Sequence, residues 1–257
     1  MDLGLGRQAV IVTGAASGIG AAIARMLVAE RVGGLLLTDR DATGLEQVAA
    51  EIGSTTWVET VVADLSEDAA PAKIATAAVT RFGRIDGLVN AAGLTTRGSF
   101  ETGTSEIWDQ LFTVNARAGF FLMQAAVADM RGRGAAGAIV NILSMNAYCG
   151  HPDLAIYSAT KGAMATLTKN AANAHMADRI RVNGINLGWV ATETERRIHA
   201  ALGHGPDWFE AAAAAQPIGR LVSAEDCARL AAFLLSDASA PMSGAIVDLE
   251  QKVAGAI

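Results

Sequence analysis

Short β-branched runs alternate with longer alanine-rich segments along the whole chain, and this rhythm constrains the fold more than any other feature. The runs read as strands are Ala9–Gly14 ("AVIVTG"), Gly34–Asp39, Trp57–Asp64, Gly87–Ala92, Ala138–Ser144, Arg181–Gly188 and Ala245–Glu250. Helical patterns lie between them, over Gly20–Glu30, Leu45–Ile52, Ala70–Phe82, Glu106–Arg131, Tyr157–His175 and Ala224–Ser236. Such alternation implies βαβ units, so an α/β fold with one doubly wound, seven-stranded parallel sheet flanked by helices is expected. No Pro/Ser linker or charge block divides the 257 residues, which predicts a single domain over 1–257. Only Thr192–Gln216 breaks the rhythm. It is longer than a usual helix-to-strand connection, carries Gly203, Gly205 and Pro206, and reads as a helical flap over a site.

Hydrophobic residues make up 51% of the chain and charged residues 18%, enough for a large core and too apolar for disorder. No apolar run reaches the roughly 18 residues of a membrane span. The first strand starts within ten residues of Met1, which leaves no room for a signal peptide. Cys149 and Cys227 read as reduced thiols, and the formal charge of −6 argues against a nucleic-acid partner. No Cys/His/Asp/Glu group has zinc spacing, so no metal is expected. These features predict a cytoplasmic globule that engages neither membrane nor nucleic acid.

The first strand runs into "TGAASGIG", Thr13–Gly20, and then into a helix. Gly14 permits the tight turn, Gly18 lets a backbone approach a pyrophosphate, and Gly20 lets the helix pack on the sheet. The helix start, with Ser17 and Ile19, presents free N–H groups to the anion. The G-x-x-x-G-x-G spacing departs from the usual G-x-G-x-x-G, and a plain strand–turn–helix junction is the alternative. The strand before, the helix after and an acidic residue downstream favour a nucleotide. That residue is Asp39, which ends the second strand and is placed to accept from ribose hydroxyls. A 2′-phosphate there would meet like charge, at a cost of several kcal/mol for an effective dielectric of about 20. NAD is therefore expected over NADP. Arg40 argues the other way, because a guanidinium can hold a phosphate, while the lack of a basic residue at Ser17 supports NAD. Asp64, followed by Leu65, ends the third strand and could accept from an adenine amino group or cap a helix. Asn90, Ala91 and Gly93 in "NAAG" leave space for a ribose, and Asn90 can tie strands together.

Tyr157 and Lys161 in "IYSATKGAM" lie four residues apart, so one helix face carries both, with Cβ atoms roughly 5–6 Å apart. Alone, the pair could be a solvated helix face. Taken with Thr13–Gly20, Asn90–Gly93, Asn115 and Ser144, in this order over nearly the whole chain, it resembles the classical short-chain dehydrogenase/reductase family. The resemblance implies a single Rossmann domain in which a Ser–Tyr–Lys core moves a proton while NAD(P) moves a hydride. Carried onto this chain, it implies Tyr157 as general acid/base and Lys161 as its electrostatic partner and ribose ligand. Ser144 would donate to the substrate oxygen, and Asn115 would hold a water that links Lys161 to solvent. The resemblance also implies that Val190 and Thr192, after Gly188, contact the nicotinamide carboxamide. Physically, tyrosine must drop by roughly three pKa units, or about 4 kcal/mol, to act as a base near neutrality. A lysine charge about 6 Å away supplies roughly 3 kcal/mol. The remainder is assigned to the positive charge of an oxidised nicotinamide.

Two departures from the family pattern stand out: Leu187-Gly188 where Pro-Gly is common, and "VDLEQ" where an Asp-Gly-Gly turn is usual. The first puts the rigidity of the loop in question, and the second predicts a different C-terminal conformation. Pocket candidates are Ser144, Asn146, His151 and Trp189, with Thr95, Arg97 and Glu193, a polar set suited to a sugar or polyol. His199 and His204 fall in the flap, where structural or exposed roles are the plain alternative. The expected activity is interconversion of a secondary alcohol and a ketone with NAD(H) on a small substrate. A ketoacyl-type reductase using NADPH and a non-catalytic NAD-binding scaffold are the alternatives. Alanine-rich helices suggest close helix contacts, and the family resemblance implies a homo-oligomer, a tetramer foremost.

Overall fold

A computed structural model describes residues 3–53, 56–201, 203–205 and 207–254. Its strands are β1 (Ala9–Thr13), β2 (Gly34–Asp39), β3 (Trp57–Val62), β4 (Gly87–Asn90), β5 (Gly137–Ile142), β6 (Ile180–Leu187) and β7 (Ile246–Leu249). They form one parallel sheet in the spatial order 3-2-1-4-5-6-7. Every residue of β1 and β6 is buried, which explains why these runs are apolar throughout instead of alternating. Helices α1 (Gly18–Ala29), α2 (Ala42–Ile52) and α9 (Ala224–Leu235) share a core with one face of the sheet. Helices α3 (Ala70–Phe82), α5 (Ala118–Gly132) and α6 (Ala155–His175) share a second core with the other. The chain reverses its winding between β1 and β4, and the crevice beyond their carboxyl ends is where ligands bind in such sheets.

Most strands end a residue or two before the sequence pattern does. Gly14, Ala63–Asp64, Ala91–Ala92, Leu143–Ser144, Gly188 and Glu250 lie past the ladder, so strand-like composition continues after the backbone has turned away. The helix expected over Glu106–Arg131 is α4 (Ser105–Phe112), a π turn (Thr113–Arg117) and then α5. Thr104 caps its start, accepting from the Ile107 N–H at 3.3 Å. Ser105–Gly132 is long and apolar enough to match a membrane span, contrary to the expectation that no such run exists, and 50% of its most apolar window is buried within the protein. The flap contains α7 (Glu193–Ala201) and α8 (Trp208–Ala214), while Pro206 lies outside the described residues.

Buried polar groups tie α6 to the sheet. Asn90 Nδ2 donates to Asn141 Oδ1 at 2.8 Å, and Asn141 Nδ2 donates to Thr168 Oγ1 at 2.8 Å. Thr168 in turn donates to the Met164 carbonyl at 2.7 Å, and neither Asn141 nor Thr168 is exposed. Elsewhere the buried Arg181 guanidinium reaches the carbonyls of Leu234, Leu235 and Ser236, capping the end of α9. A Thr168→Val protein keeps the side-chain shape but leaves an Asn141 donor without its partner. It should lose about 1–3 kcal/mol of stability, read as a lower urea midpoint at unchanged m-value.

Candidate active site

The carboxyl edge of the sheet gathers most of the residues singled out above. Thr13, the last residue of β1, accepts from the amides of Ala91 and Ala92 at 3.0 Å each, pinning the "NAAG" turn across the crevice. Gly14 has φ +67°, and a side chain there would lie 2.9 Å from the Ala92 backbone, so glycine is required by close packing. Gly20 packs against the Gly14 carbonyl in the same way. Gly18, at φ +54°, is less crowded: a side chain there would meet the Thr192 methyl at 3.7 Å, ordinary contact distance, so its glycine is required by the backbone conformation. Ser17 occupies the N-cap of α1 without a side-chain bond to the helix, so its hydroxyl does not compete for the N–H groups at that end. These features fit a dinucleotide pyrophosphate at the glycine turn, with Thr192 bordering Gly18. Ile19 is half-buried in the first turn of α1.

Asp39 is fixed by two backbone donors: Oδ2 accepts from Ala16 N and Oδ1 from Asp41 N, each at 3.1 Å. The carboxylate therefore stands beside the glycine turn. Arg40 is exposed. Asp64 accepts from Ser66 N at 2.8 Å, and that bond holds its carboxyl below the usual range. Asp64 therefore closes a local turn and does not cap a helix, since α3 has Ala69 as its N-cap; Leu65 is half-buried alongside.

Ser144, Tyr157, Lys161 and Asn115 come together and all are buried. The Lys161 ammonium lies 5.7 Å from the centre of the Tyr157 ring and donates to the Ile142 carbonyl at 2.8 Å. Asn115 sits in the π turn. It accepts from Leu94 N at 2.8 Å and donates to Leu94 O at 2.9 Å and to Thr160 Oγ1 at 3.1 Å. Thr160 donates to the Tyr157 carbonyl at 2.7 Å, so Asn115 braces the helix turn that carries the tyrosine. A cavity of about 10 Å³, roughly one water in size, is lined by Thr13, Asn90, Asn115 and Lys161 among others. That cavity suits the water-holding role expected of Asn115.

Electrostatics revise one expectation. Burial pushes the Tyr157 hydroxyl up to about 12, with Glu195 adding to the rise and the Ser144 hydroxyl opposing it. Burial also pushes the Lys161 ammonium down to about 8. Desolvation therefore outweighs the lysine charge on which the sequence argument relied.

Among the substrate-side candidates, Asn146 donates to Ser144 Oγ through its backbone at 3.2 Å and its side chain at 3.3 Å. His151 is exposed and its Nδ1 accepts from Asp153 N at 3.3 Å, so the ring caps a short turn instead of facing the pocket. Trp189 donates to Glu195 Oε2 at 3.4 Å and meets Trp208 edge-on at 4.8 Å. Thr95 and Arg97 are half-buried in the loop after β4. Glu193 is exposed, whereas Glu195, two positions on, is half-buried. Helical rotation of about 100° per residue separates the two, and because α7 starts at Glu193 itself, no apolar periodicity marks which glutamate faces inward. His199 stacks on Trp208 at 3.7 Å, and His204 is exposed. Among the described residues, no group of three or more His, Cys, Asp or Glu side chains is placed to hold a metal.

The loop after β6 is held despite Leu187. Leu187 pairs with Leu249 in the sheet, Gly188 N donates to Leu249 O at 3.0 Å, and Val190 bridges to Val222. The C-terminal departure supplies part of that hold: the Glu250 carboxylate occupies the space beside Gly188, and Gln251 bonds Ile218 N and Arg220 O.

A family model described as enoyl-(acyl carrier protein) reductase matches residues 14–250. The chain is 37% identical to an inactive 2-(S)-hydroxypropyl-CoM dehydrogenase 2 of Xanthobacter autotrophicus, over 82% of this chain and 90% of that one. The fold superposes on L-sorbose reductase of Gluconobacter frateurii, solved with NADPH and L-sorbose, at a TM-score of 0.92 and 27% identity, covering 100% of both chains. It also superposes on an NAD+-bound xylitol dehydrogenase at a TM-score of 0.87 and 27% identity, covering 97% of this chain and 100% of that one. With its seven-stranded parallel sheet and its Ser144–Tyr157–Lys161 edge, the chain belongs to the classical short-chain dehydrogenase/reductase family of oxidoreductases acting on CH–OH groups.

Proposed function

We propose that the protein interconverts a secondary alcohol and a ketone on a small sugar- or polyol-like substrate, with NAD(H) as cofactor. The observation that carries this reading is the buried Lys161 ammonium 5.7 Å from the Tyr157 ring, with the Ser144 hydroxyl on the same tyrosine. In the oxidative direction, Tyr157 Oη takes the substrate hydroxyl proton while Ser144 Oγ steadies the oxygen. Ser144 already accepts two bonds from Asn146, which leaves its own proton free to donate. The glycine turn, Asp39 and the Gly188–Thr192 loop would hold the dinucleotide, and its nicotinamide would supply the hydride acceptor. Lys161, anchored on Ile142, favours the tyrosinate over the phenol. Structures solved with sorbose and with a xylitol dehydrogenase assignment support the polyol class.

Tyr157 at about 12 and Lys161 at about 8 differ by on the order of 5 kcal/mol, so the first proton leaves the pair from the lysine. The productive form, tyrosinate beside ammonium, has the same proton count, and the two titrate together. Alcohol oxidation should therefore rise with pH up to an apparent pKa near that of the pair. A Lys161→Met protein should need more alkaline pH, because the charge favouring the tyrosinate is gone. Tyr157→Phe should lower kcat by about 10²–10⁴-fold with the fold intact by circular dichroism. Full turnover in that variant would refute the assignment.

Asp39 supports NAD, since its charge is fixed by backbone donors where a 2′-phosphate would approach. An Asp39→Ala protein should shift the NAD:NADP ratio of kcat/KM toward NADP by about tenfold or more. A wild-type preference for NADPH would instead favour the ketoacyl-type reductase reading. The free thiols Cys149 and Cys227 suit a cytoplasmic setting.

A homo-oligomer is the further part of the proposal. Exposed Trp108, Phe120 and Phe121 flank a groove of about 420 Å³ lined by Phe112, Phe120 and Leu167 on α4, α5 and α6. Light scattering after size exclusion should give a dimer or tetramer mass, and Phe120→Glu should reduce it. A monomer at micromolar concentration would exclude this.

A further inference from the structure

The flap places one carboxylate within electrostatic reach of the reacting tyrosine. Thr192, whose methyl faces Gly18, accepts from the Glu195 amide at 3.2 Å, so the start of α7 is fixed against the cofactor cradle. Glu195 Oε2 receives the Trp189 indole N–H at 3.4 Å and stands 3.5 Å from His199 Nε2. Both contacts fall on Oε2, and Oε1 takes part in neither. The side chain is only 26% exposed, and its charge reaches Tyr157, whose proton it helps retain. His199 stacks on Trp208 and lies within electrostatic reach of Arg97. The carboxylate thus stands between the Trp189 indole and the His199 imidazole, within electrostatic reach of Tyr157, with Oε1 outside both contacts.

A carboxylate is acceptor-only, so such an oxygen takes hydroxyl donors and repels anions. We propose that Glu195 is the specificity-determining residue of the pocket: Oε1 accepts a hydroxyl next to the reacting carbon of a neutral polyhydroxylated substrate, and the charge excludes substrates carrying a carboxylate or phosphate there. This rests on the oxidoreductase reading above and narrows its substrate class. Arg97 is the opposing charge, and a pocket governed by it would favour the anion instead.

The test compares wild type and Glu195→Gln on matched pairs, a polyol and the sugar acid of the same chain length, with saturating cofactor. Wild type should favour the neutral member in kcat/KM by about tenfold or more. Glu195→Gln should shrink that ratio by about tenfold, mainly through a lower KM for the acid. A merely structural role would change both members equally. Should Glu195→Gln fail to fold, wild type still decides, because the sugar acid should inhibit polyol oxidation far more weakly than a neutral deoxy analogue does. Wild-type turnover with an unchanged ratio in the variant overturns the assignment of Glu195 alone. A wild-type preference for the acid overturns it as well and assigns the pocket to Arg97. No turnover of any panel member by wild type overturns the oxidoreductase reading and this one together.

Discussion

The site depends on how firmly α6 is seated, and a buried chain of amides and hydroxyls does the seating. Asn90, Asn141 and Thr168 run from the end of β4 through β5 into α6, each donor paired to the next acceptor at 2.8 Å. A polar group in this dry interior is costly unless partnered, so alternative placements of the helix leave unpaired donors and are disfavoured. Leucines alone would hold the helix about as tightly but would let it slide. The contacts of Lys161 with Ile142 and of Asn115 with Thr160 extend the same restraint toward the reacting end. Position along the sheet edge is thereby set by directional bonds, and the apolar cores on either face supply the bulk of the stability.

That seating has an electrostatic consequence. Removing Tyr157 and Lys161 from water penalises the charged form of each, so the phenol holds its proton and the ammonium gives up its own more readily than in water. A Coulomb attraction of roughly 3 kcal/mol between tyrosinate and ammonium recovers only part of that penalty. The pair alone thus holds little tyrosinate near neutrality, and the positive charge of an oxidised nicotinamide bound beside it would act in the needed direction. Burial that disfavours the tyrosinate also keeps the dielectric low, which strengthens the effect of any such charge.

Much of this was legible in the sequence because it depends on backbone pattern and spacing. Seven apolar strands, the glycine turn and a tyrosine one helical turn from a lysine are local, periodic signals. The exceptions share a cause. Strand ends were overrun at Gly14, Asp64 and Ala92 because small or apolar residues continue while the backbone leaves the ladder to build the site. Asn115, a mediocre helix former, hints at a kink in the long helical pattern, but its neighbours are those of an ordinary helix and do not specify a π turn. His151 looked like a pocket residue because cap geometry is invisible without coordinates. Glu195 was missed in favour of Glu193, as the inward face of this short polar helix is decided by packing outside it, on Trp189 for Glu195 and on Trp208 for His199 one turn on.

The two departures from the family pattern, read separately in the sequence, are one structural unit. A proline at position 187 would fix φ and remove an N–H; with leucine there, the strand closes by pairing Leu187 with Leu249. Gly188 then donates to the Leu249 carbonyl, and Glu250 fills the volume beside it so closely that any side chain at 188 would collide with the carboxylate. Glu250 thus takes over the constraint that a proline ring would impose, and it does so through the C-terminal strand. Gln251 carries the link on to Ile218 and Arg220, and the Val190–Val222 bridge returns it to the flap's own root. The loop that presents Val190 and Thr192 is therefore restrained from the far end of the chain. Rigidity lost at one position and glycines lost at another compensate each other only because β6 and β7 lie side by side.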